Sequence, residues 1–255
     1  MLLAIDIGNT NINLGVFKDS ELHATWRIAT DTNRTADEYA APLISLLQHR
    51  GLSVTDITKV AMCSVVPSLT AAFEELSQRY LNTTPLVVGA GVKTGVSIRM
   101  DNPREVGADR IADAAAAHHL YSGPVIIIDL GTATTFGIVS KEGDYIGGII
   151  ATGIATAAEA LFTRTAQLPR VDLAHPKRVI GTNTVAAMQS GIIYGYASLV
   201  EGMLARIAEE LGEKPLVVAT GGYAGLIAKE TTAIDVVNRE LTLIGLRLIY
   251  LMNRV

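Results

Sequence analysis

Two segments of this chain repeat one another. Leu3-Ala4-Ile5-Asp6-Ile7-Gly8-Asn9-Thr10 returns as Ile126-Ile127-Ile128-Asp129-Leu130-Gly131-Thr132-Ala133, with the two aspartates 123 residues apart. In a chain of 255 residues that offset is close to half the length, which predicts two related lobes. In each copy an apolar, β-branched run reads as a buried strand that ends in an Asp and a Gly turn. A second apolar strand follows, over 12–17 and 135–139, and each then reaches a polar turn at 18–20 and 141–144. Both halves open as a β-hairpin with a wide bend at one end.

The pattern behind the first hairpin continues as a strand over 21–29 and a helix over 34–50. Tyr39, Leu43, Leu46 and Leu47 recur there at helical spacing, and Gly51 stops the run. A strand over 60–66, a helix over 68–80 and a strand over 86–88 complete a βββαβαβ order. The second half repeats its start, with strands over 125–129, 135–140 and 145–150. Helices are expected over 154–165, 184–211, 222–228 and 241–253, with a further strand over 216–219. An alanine-rich helix over 103–121 lies between the halves, so the boundary is placed at Gly123-Pro124, giving domains 1–123 and 124–255. The fold class is α/β.

Composition narrows the function. With 49% apolar residues the chain can bury a core large enough to offset its ordering entropy. Its 21 Lys and Arg against 25 Asp and Glu give a net charge of −4, which argues against nucleic acid as a partner. The single Cys63 excludes an intrachain disulfide framework and a cysteine-rich zinc site, and its apolar neighbours read it as a core residue. The mean hydropathy of +0.33 calls for a membrane check. The uncharged stretch 179–200 is long enough to span, but Thr182, Asn183, Thr184, Gln189 and Ser190 make it too polar, so a buried helix is expected and no membrane partner. Met1 to Asp6 has no basic lead or long apolar run, so a cytoplasmic location is expected.

Four groups of residues carry possible chemistry. The bend Asp6-Ile7-Gly8-Asn9-Thr10 can aim backbone N–H groups and short polar side chains at an anion, because glycine removes the Cβ that would block close approach. It lacks the spacing of a Walker A loop, and taken alone it could be an ordinary hairpin turn. Its copy at Asp129-Leu130-Gly131-Thr132 favours function. Two such aspartates facing across a cleft would repel unless a cation sat between them, an arrangement that fits a phosphorylated nucleotide with Mg²⁺; each could also merely cap its turn.

In Asp101-Asn102-Pro103-Arg104-Glu105-Val106-Gly107-Ala108-Asp109-Arg110, Asn102, Pro103 and Glu105 have the chemistry of a helix start. That places Asp109 and Arg110 within its first two turns, where Asp109 can accept a proton from an alcohol and Arg110 can bind a carboxylate or phosphoryl oxygens. The plainer alternative is a solvated Asp109 to Asp113 face with Arg110 paired locally. Gly147-Gly148 and Thr220-Gly221-Gly222 are turns whose N–H groups could meet phosphate or ribose. Thr182-Asn183-Thr184 reads equally as the cap of a long helix. His118 and His119 read as helix C-terminal residues and Trp26 as hairpin packing.

With these residues in place the chain resembles the type III pantothenate kinases of the acetate and sugar kinase, heat-shock ATPase and actin superfamily. The likeness runs through Asp6-x-Gly8-Asn9-Thr10, Gly107-x-Asp109-Arg110, Asp129-x-Gly131-Thr132-Ala133-Thr134-Thr135, Gly147-Gly148, Thr184 and Thr220-Gly221-Gly222. It implies two actin-like, ribonuclease H-like lobes with a nucleotide cleft between them, and phosphorylation of the pantothenate 4′-hydroxyl by ATP, the first step of coenzyme A synthesis. It implies Asp109 as general base, and pantothenate contacts from Gly107, Ala108, Asp109, Arg110, Thr184 and position 100. It also implies ATP contacts from Asp6, Ile7, Gly8, Asn9, Thr10, Asn11, Ile12, Asn13 and Thr132, a K⁺ or NH₄⁺ site at Asp129, Mg²⁺ with the nucleotide, and a homodimer.

Two positions depart from the family pattern: Met100 stands where an aromatic is expected, and Ala151-Thr152-Gly153 replaces Ala-Pro-Gly. Other readings are an actin-like kinase with another small-molecule acceptor, or a non-catalytic relative acting as an accessory factor for transcription. Apolar residues Ala187, Ile192, Ile193, Tyr194, Tyr196 and Leu199 occupy more than one face of the 184–211 helix, which predicts that part of it is a dimer interface.

Overall fold

The computed structural model describes residues 1–253. In chain order the elements are β1 (Leu2–Ile7), β2 (Asn11–Lys18), β3 (Glu21–Ala29), α1 (Ala36–His49), β4 (Lys59–Ser64), α2 (Pro67–Leu81), β5 (Leu86–Val87), β6 (Ser97–Ile98) and α3 (Ala108–Leu120). Then come β7 (Val125–Leu130), β8 (Ala133–Val139), β9 (Asp144–Thr152), α4 (Ile154–Arg164), α5 (Thr184–Leu211), β10 (Leu216–Thr220), α6 (Ala224–Ile227), β11 (Val236–Val237) and α7 (Leu241–Met252). They form two compact units, one of residues 1–116 with α7, the other of residues 117–240.

The first unit carries a sheet in the order β3-β2-β1-β4-β5, with the β1–β2 and β2–β3 pairs antiparallel and the β1–β4 and β4–β5 pairs parallel. Strand alternation sends Leu3, Ile5, Ile7, Leu14, Val60 and Met62 to one face, where they pack with Tyr39, Leu43, Phe73 and Leu76 of α1 and α2. The opposite face is built from smaller residues, Ala4, Ala61 and Cys63, under Ala112 and Ala115 of α3 and Leu243, Leu246 and Ile249 of α7. Small side chains let the two covering helices touch. A Cβ on Gly245 of α7 would fall on the Ala112 carbonyl of α3, so this contact requires glycine.

The second unit repeats the plan, with its strands in the order β9-β8-β7-β10-β11. Its core joins Ile126, Ile128, Leu130 and Phe136 to Ile193, Tyr196 and Val200 of α5 and Ile227 of α6. Even the irregularities match: the second and third strands slip register between Val16 and Phe17 in one unit and between Ile138 and Val139 in the other. Asn183 caps α5 by accepting from the Ala186 N–H at 2.9 Å, and Gly212 ends it in the left-handed region at φ 69°. Among the described residues no helix is long and apolar enough to cross a membrane.

Three sequence expectations change. The helix expected over 103–121 is broken, because Asn102 accepts from the Arg104 N–H at 3.3 Å and caps only a short turn, Pro103–Glu105. Val106 is then extended, and α3 starts at Ala108. The units also differ from 1–123 and 124–255: the division falls inside α3, after Ala116, and α7 belongs with the first unit. The apolar face of α7 and its contact at Gly245 explain that membership. The helix expected over 222–228 shortens to α6, because Gly221 leaves β10 with φ 89° and Ala224 is the first residue in helical geometry. The short strands β6 and β11 had no pattern long enough to read.

Candidate active site

The first bend follows from the end of β1. The Gly8 N–H donates to the Asn11 carbonyl at 3.0 Å and closes the turn. Thr30, just past β3, secures it twice: its Oγ1 donates to the Gly8 carbonyl at 2.7 Å and its N–H to the Thr10 carbonyl at 3.0 Å. A Cβ on Gly8 would sit 3.0 Å from the Asn11 carbonyl oxygen, so a larger residue would press the turn open. Asn9 and Thr10 at its tip are exposed.

Asp6 lies beneath this bend, half-buried, with both carboxylate oxygens engaged. Asn13 Nδ2 donates to Oδ2 at 2.9 Å and the Cys63 thiol to Oδ1 at 3.4 Å. Desolvation raises the Asp6 pKa to about 6, and the charge of Asp109 pushes the same way against the Asn13 and Cys63 hydrogen bonds and the charge of Arg27. Burial, reinforced by Asp6 and Asp109, holds the Cys63 thiol well above its ordinary range, so it serves as a neutral donor rather than a thiolate.

Asp109 stands in the first turn of α3, half-buried, with its Oδ1 accepting from the Arg110 N–H at 2.8 Å. Gly107 makes the space for it, since a Cβ there would fall on Asp109 Oδ1. One turn deeper, Asp113 is buried and accepts from Thr242 Oγ1 of α7 at 2.7 Å. The solvated Asp109 to Asp113 face is therefore absent. Ala108 and Arg110 flank Asp109, both half-buried, and Met100 lies half-buried in the bend after β6.

In the second unit the bend is one residue shorter: the Gly131 N–H donates to the Ala133 carbonyl at 3.0 Å, two residues on, where the Gly8 N–H reaches the third. Two glycines approach the Asp129 carboxylate closely. A Cβ on Gly221 would fall on Asp129 Oδ1 and on the Leu130 backbone, and one on Gly131 would sit 3.4 Å from the same oxygen. Thr220-Gly221-Gly222 is thus part of the wall around Asp129. Thr132 is exposed at the tip, and its carbonyl accepts from Thr156 Oγ1 at 2.9 Å while packing over Gly153, which has no room for a side chain.

Among the described residues no three His, Cys, Asp or Glu are grouped to hold a metal ion.

Thr184 opens α5 and lines a separate groove of about 1380 Å³ between α4, α5 and the segment 181–183. Ala187, Gly191 and Gly195 keep its α5 wall low. Of the α5 residues expected at an interface, Ile192, Ile193 and Tyr196 are buried within the unit, whereas Ala187 is exposed and Tyr194 and Leu199 are half-buried. Tyr196 donates to the Thr152 carbonyl at 2.7 Å, which anchors the turn that departs from the family pattern.

Within the first unit the structure brings Asp6, Asn13, Gly8 and Asp109 into one neighbourhood, and within the second it joins Asp129, Gly131 and Thr132 to Gly221. Sequence reasoning missed Cys63, Thr30, Thr156 and Arg27. Cys63 could have been found by strand parity, because it shares a face with Ala61 and thus with Asp6; the other three make contacts that no motif marks.

The two units, each with an Asp–Gly bend after its first strand, have the fold of known structures with duplicated α/β units. Solved structures agree. Component A of (R)-2-hydroxyglutaryl-CoA dehydratase from Acidaminococcus fermentans aligns with a TM-score of 0.55 at 15% identity, covering 98% of this chain and 96% of that one. The inorganic polyphosphate/ATP-glucomannokinase of Arthrobacter sp. strain KM aligns with a TM-score of 0.50 at 14% identity, covering 99% of each. The family model for type III pantothenate kinase matches residues 2–206. A type III pantothenate kinase of Dehalococcoides mccartyi (strain ATCC BAA-2100) is 56% identical over 254 residues, covering 100% of this chain and 97% of its relative. This chain belongs to the type III pantothenate kinase family.

Proposed function

We propose that Asp109 is the general base of the family reaction, the ATP-dependent phosphorylation of pantothenate that opens coenzyme A biosynthesis. The observation that carries this reading is the space made by Gly107 for the Asp109 carboxylate in the first turn of α3. The pantothenate 4′-oxygen attacks the γ-phosphorus of ATP, the bond to the bridging β,γ-oxygen breaks, ADP departs, and Asp109 takes the hydroxyl proton. A loose transition state demands little early nucleophile activation, so the proton moves late. Arg110, Gly107, Ala108 and Met100 orient pantothenate. The bend from Asp6 to Asn13 binds ATP through backbone N–H groups and short polar side chains. A K⁺ or NH₄⁺ held by Asp129 would neutralise phosphate charge, and Mg²⁺ accompanies the nucleotide.

The α4–α5 groove supports a homodimer. Leu161, Phe162, Val179, Ile180 and Val185 near it are exposed apolar residues, a pattern suited to a second copy of the chain. A cytoplasmic location accords with the charge and with a free, buried Cys63.

The test is 4′-phosphopantothenate formation by the purified chain with ATP and Mg²⁺ in K⁺, NH₄⁺ or Na⁺. Turnover in the first two and little in Na⁺ is expected. Equal turnover in all three would remove the cation from Asp129, and sedimentation as a monomer at micromolar concentration would remove the dimer.

A further inference from the structure

A polar row crosses the first sheet at one register. Cys63 of β4 is paired with Asp6 of β1, Asp6 with Asn13 of β2, and Asn13 with Arg27 of β3. Paired residues share a face, so the four side chains stand side by side. The row is also hydrogen-bonded: Arg27 Nε donates to Asn13 Oδ1 at 3.1 Å, Asn13 Nδ2 donates to Asp6 Oδ2 at 2.9 Å, and Cys63 Sγ donates to Asp6 Oδ1 at 3.4 Å.

The direction of this row depends on Arg27. A carboxamide beside a carboxylate can present either its NH₂ or its oxygen, and only the NH₂ attracts. Arg27 has donors and no acceptor, so its N–H claims the amide oxygen and leaves the NH₂ facing Asp6. Without it, only the Asp6 carboxylate orients the Asn13 amide, and the donor at Oδ2 is held less firmly. Arg27 itself is exposed on β3, two strands from Asp6.

We propose that Arg27 is a positioning residue for ATP use: acting through the Asn13 amide, it holds the Asp6 carboxylate in one orientation beneath the first bend. The inference rests on the reading that this bend binds ATP. Asp6 must be oriented as well as charged, since a misplaced group near a triphosphate costs far more than a lost surface contact.

The test is a double-mutant cycle read in steady-state kinetics, with Asp6→Asn run beside it. Arg27→Met should lower kcat/KM for ATP about tenfold while the KM for pantothenate and the thermal midpoint stay unchanged, and Arg27→Lys, which keeps a charged donor, should recover at least half of the loss. In an Asn13→Ala background, Arg27→Met should cost nothing further. Wild-type kinetics in Arg27→Met, or losses that add in the double variant, would overturn the proposal, the second because Arg27 would then touch the substrate directly. Full activity in Asp6→Asn would instead overturn the ATP reading of the bend, and the inference with it.

Discussion

At the end of β1, Asp6 is flanked across the sheet by Cys63, Asn13 and, one strand farther, Arg27; at the end of β7, Asp129 is flanked by Thr220, Thr135 and, one strand farther, Ile150. The turns above the two aspartates each close on a 3.0 Å backbone hydrogen bond donated by the glycine, to the third residue on at Gly8 and to the second at Gly131. Their surroundings differ. Asp6 is held by donors that engage both of its oxygens, and Gly131 and Gly221 approach the Asp129 carboxylate closely, their missing side chains leaving space there. The two units thus share an Asp–Gly bend after the first strand, of different span and with different residues close to the carboxylate.

That contrast can be broken at its glycines. Gly221→Ala forces a Cβ onto Asp129 Oδ1 at a φ of 89°, a conformation costing about 1–2 kcal/mol for an L-residue before the clash is counted. Turnover should fall by roughly 100-fold or more, with a lowered melting temperature. Near-normal turnover in this variant would show that the space at Asp129 is dispensable.

The charge on Asp6 offers the next test. With its pKa raised to about 6, the carboxylate protonates as the medium is acidified through that value. Then kcat/KM for ATP should drop about tenfold per pH unit below pH 6, and Asp6→Asn should be low and flat over the same range. An acid limb that survives in Asp6→Asn belongs to another group. The same shift has a stability consequence. A carboxyl whose folded pKa lies above its unfolded 3.8 favours the fold when protonated, so its cost is complete above pH 6 and gone below about pH 4. Asp6→Asn should therefore be more stable than the parent at pH 7, by on the order of 1–2 kcal/mol after allowance for partial exposure, and equal to it near pH 4.

Smaller effects sharpen the comparison further. Gly8→Ala places a Cβ 3.0 Å from the Asn11 carbonyl without a left-handed φ, so the KM for ATP should rise several-fold while stability changes little. Thr156→Val removes the hydroxyl that steadies the Thr132 carbonyl, and about 0.5–1.5 kcal/mol for one hydrogen bond corresponds to a two- to tenfold loss in kcat/KM. A loss from Thr156→Val larger than that from Gly221→Ala would reverse the assignment of roles around the second bend.

Much of this was written in the sequence because its signals were local. The Asp–Gly repeat marked both bends, and the strand expected over 21–29 and the helix expected over 184–211 have the bounds of β3 and α5. What escaped depends on partners distant in the chain. Pro103 and Glu105 looked like a continuous helix start, yet extended Val106 and the glycine after it restart the helix at Ala108, which moves Asp109 into the first turn. The apolar face of α7 was legible but not its destination, since the Gly245 contact with Ala112 joins residues more than 130 apart. Cys63 read correctly as buried, but its thiol meets Asp6 only through the β1–β4 register. Arg27 carried no signal at all, because its meaning is set by the residue opposite it.

The chemistry itself converges on one carboxylate. Purified wild-type chain and Asp109→Asn, compared for 4′-phosphopantothenate formation at saturating ATP, Mg²⁺ and K⁺, measure it directly. The expected result is robust product formation by the parent and a kcat lower by about 10²- to 10⁴-fold in the variant, with the fold and ATP binding retained. Turnover in Asp109→Asn within a few-fold of the parent would contradict the assignment of Asp109 as the base.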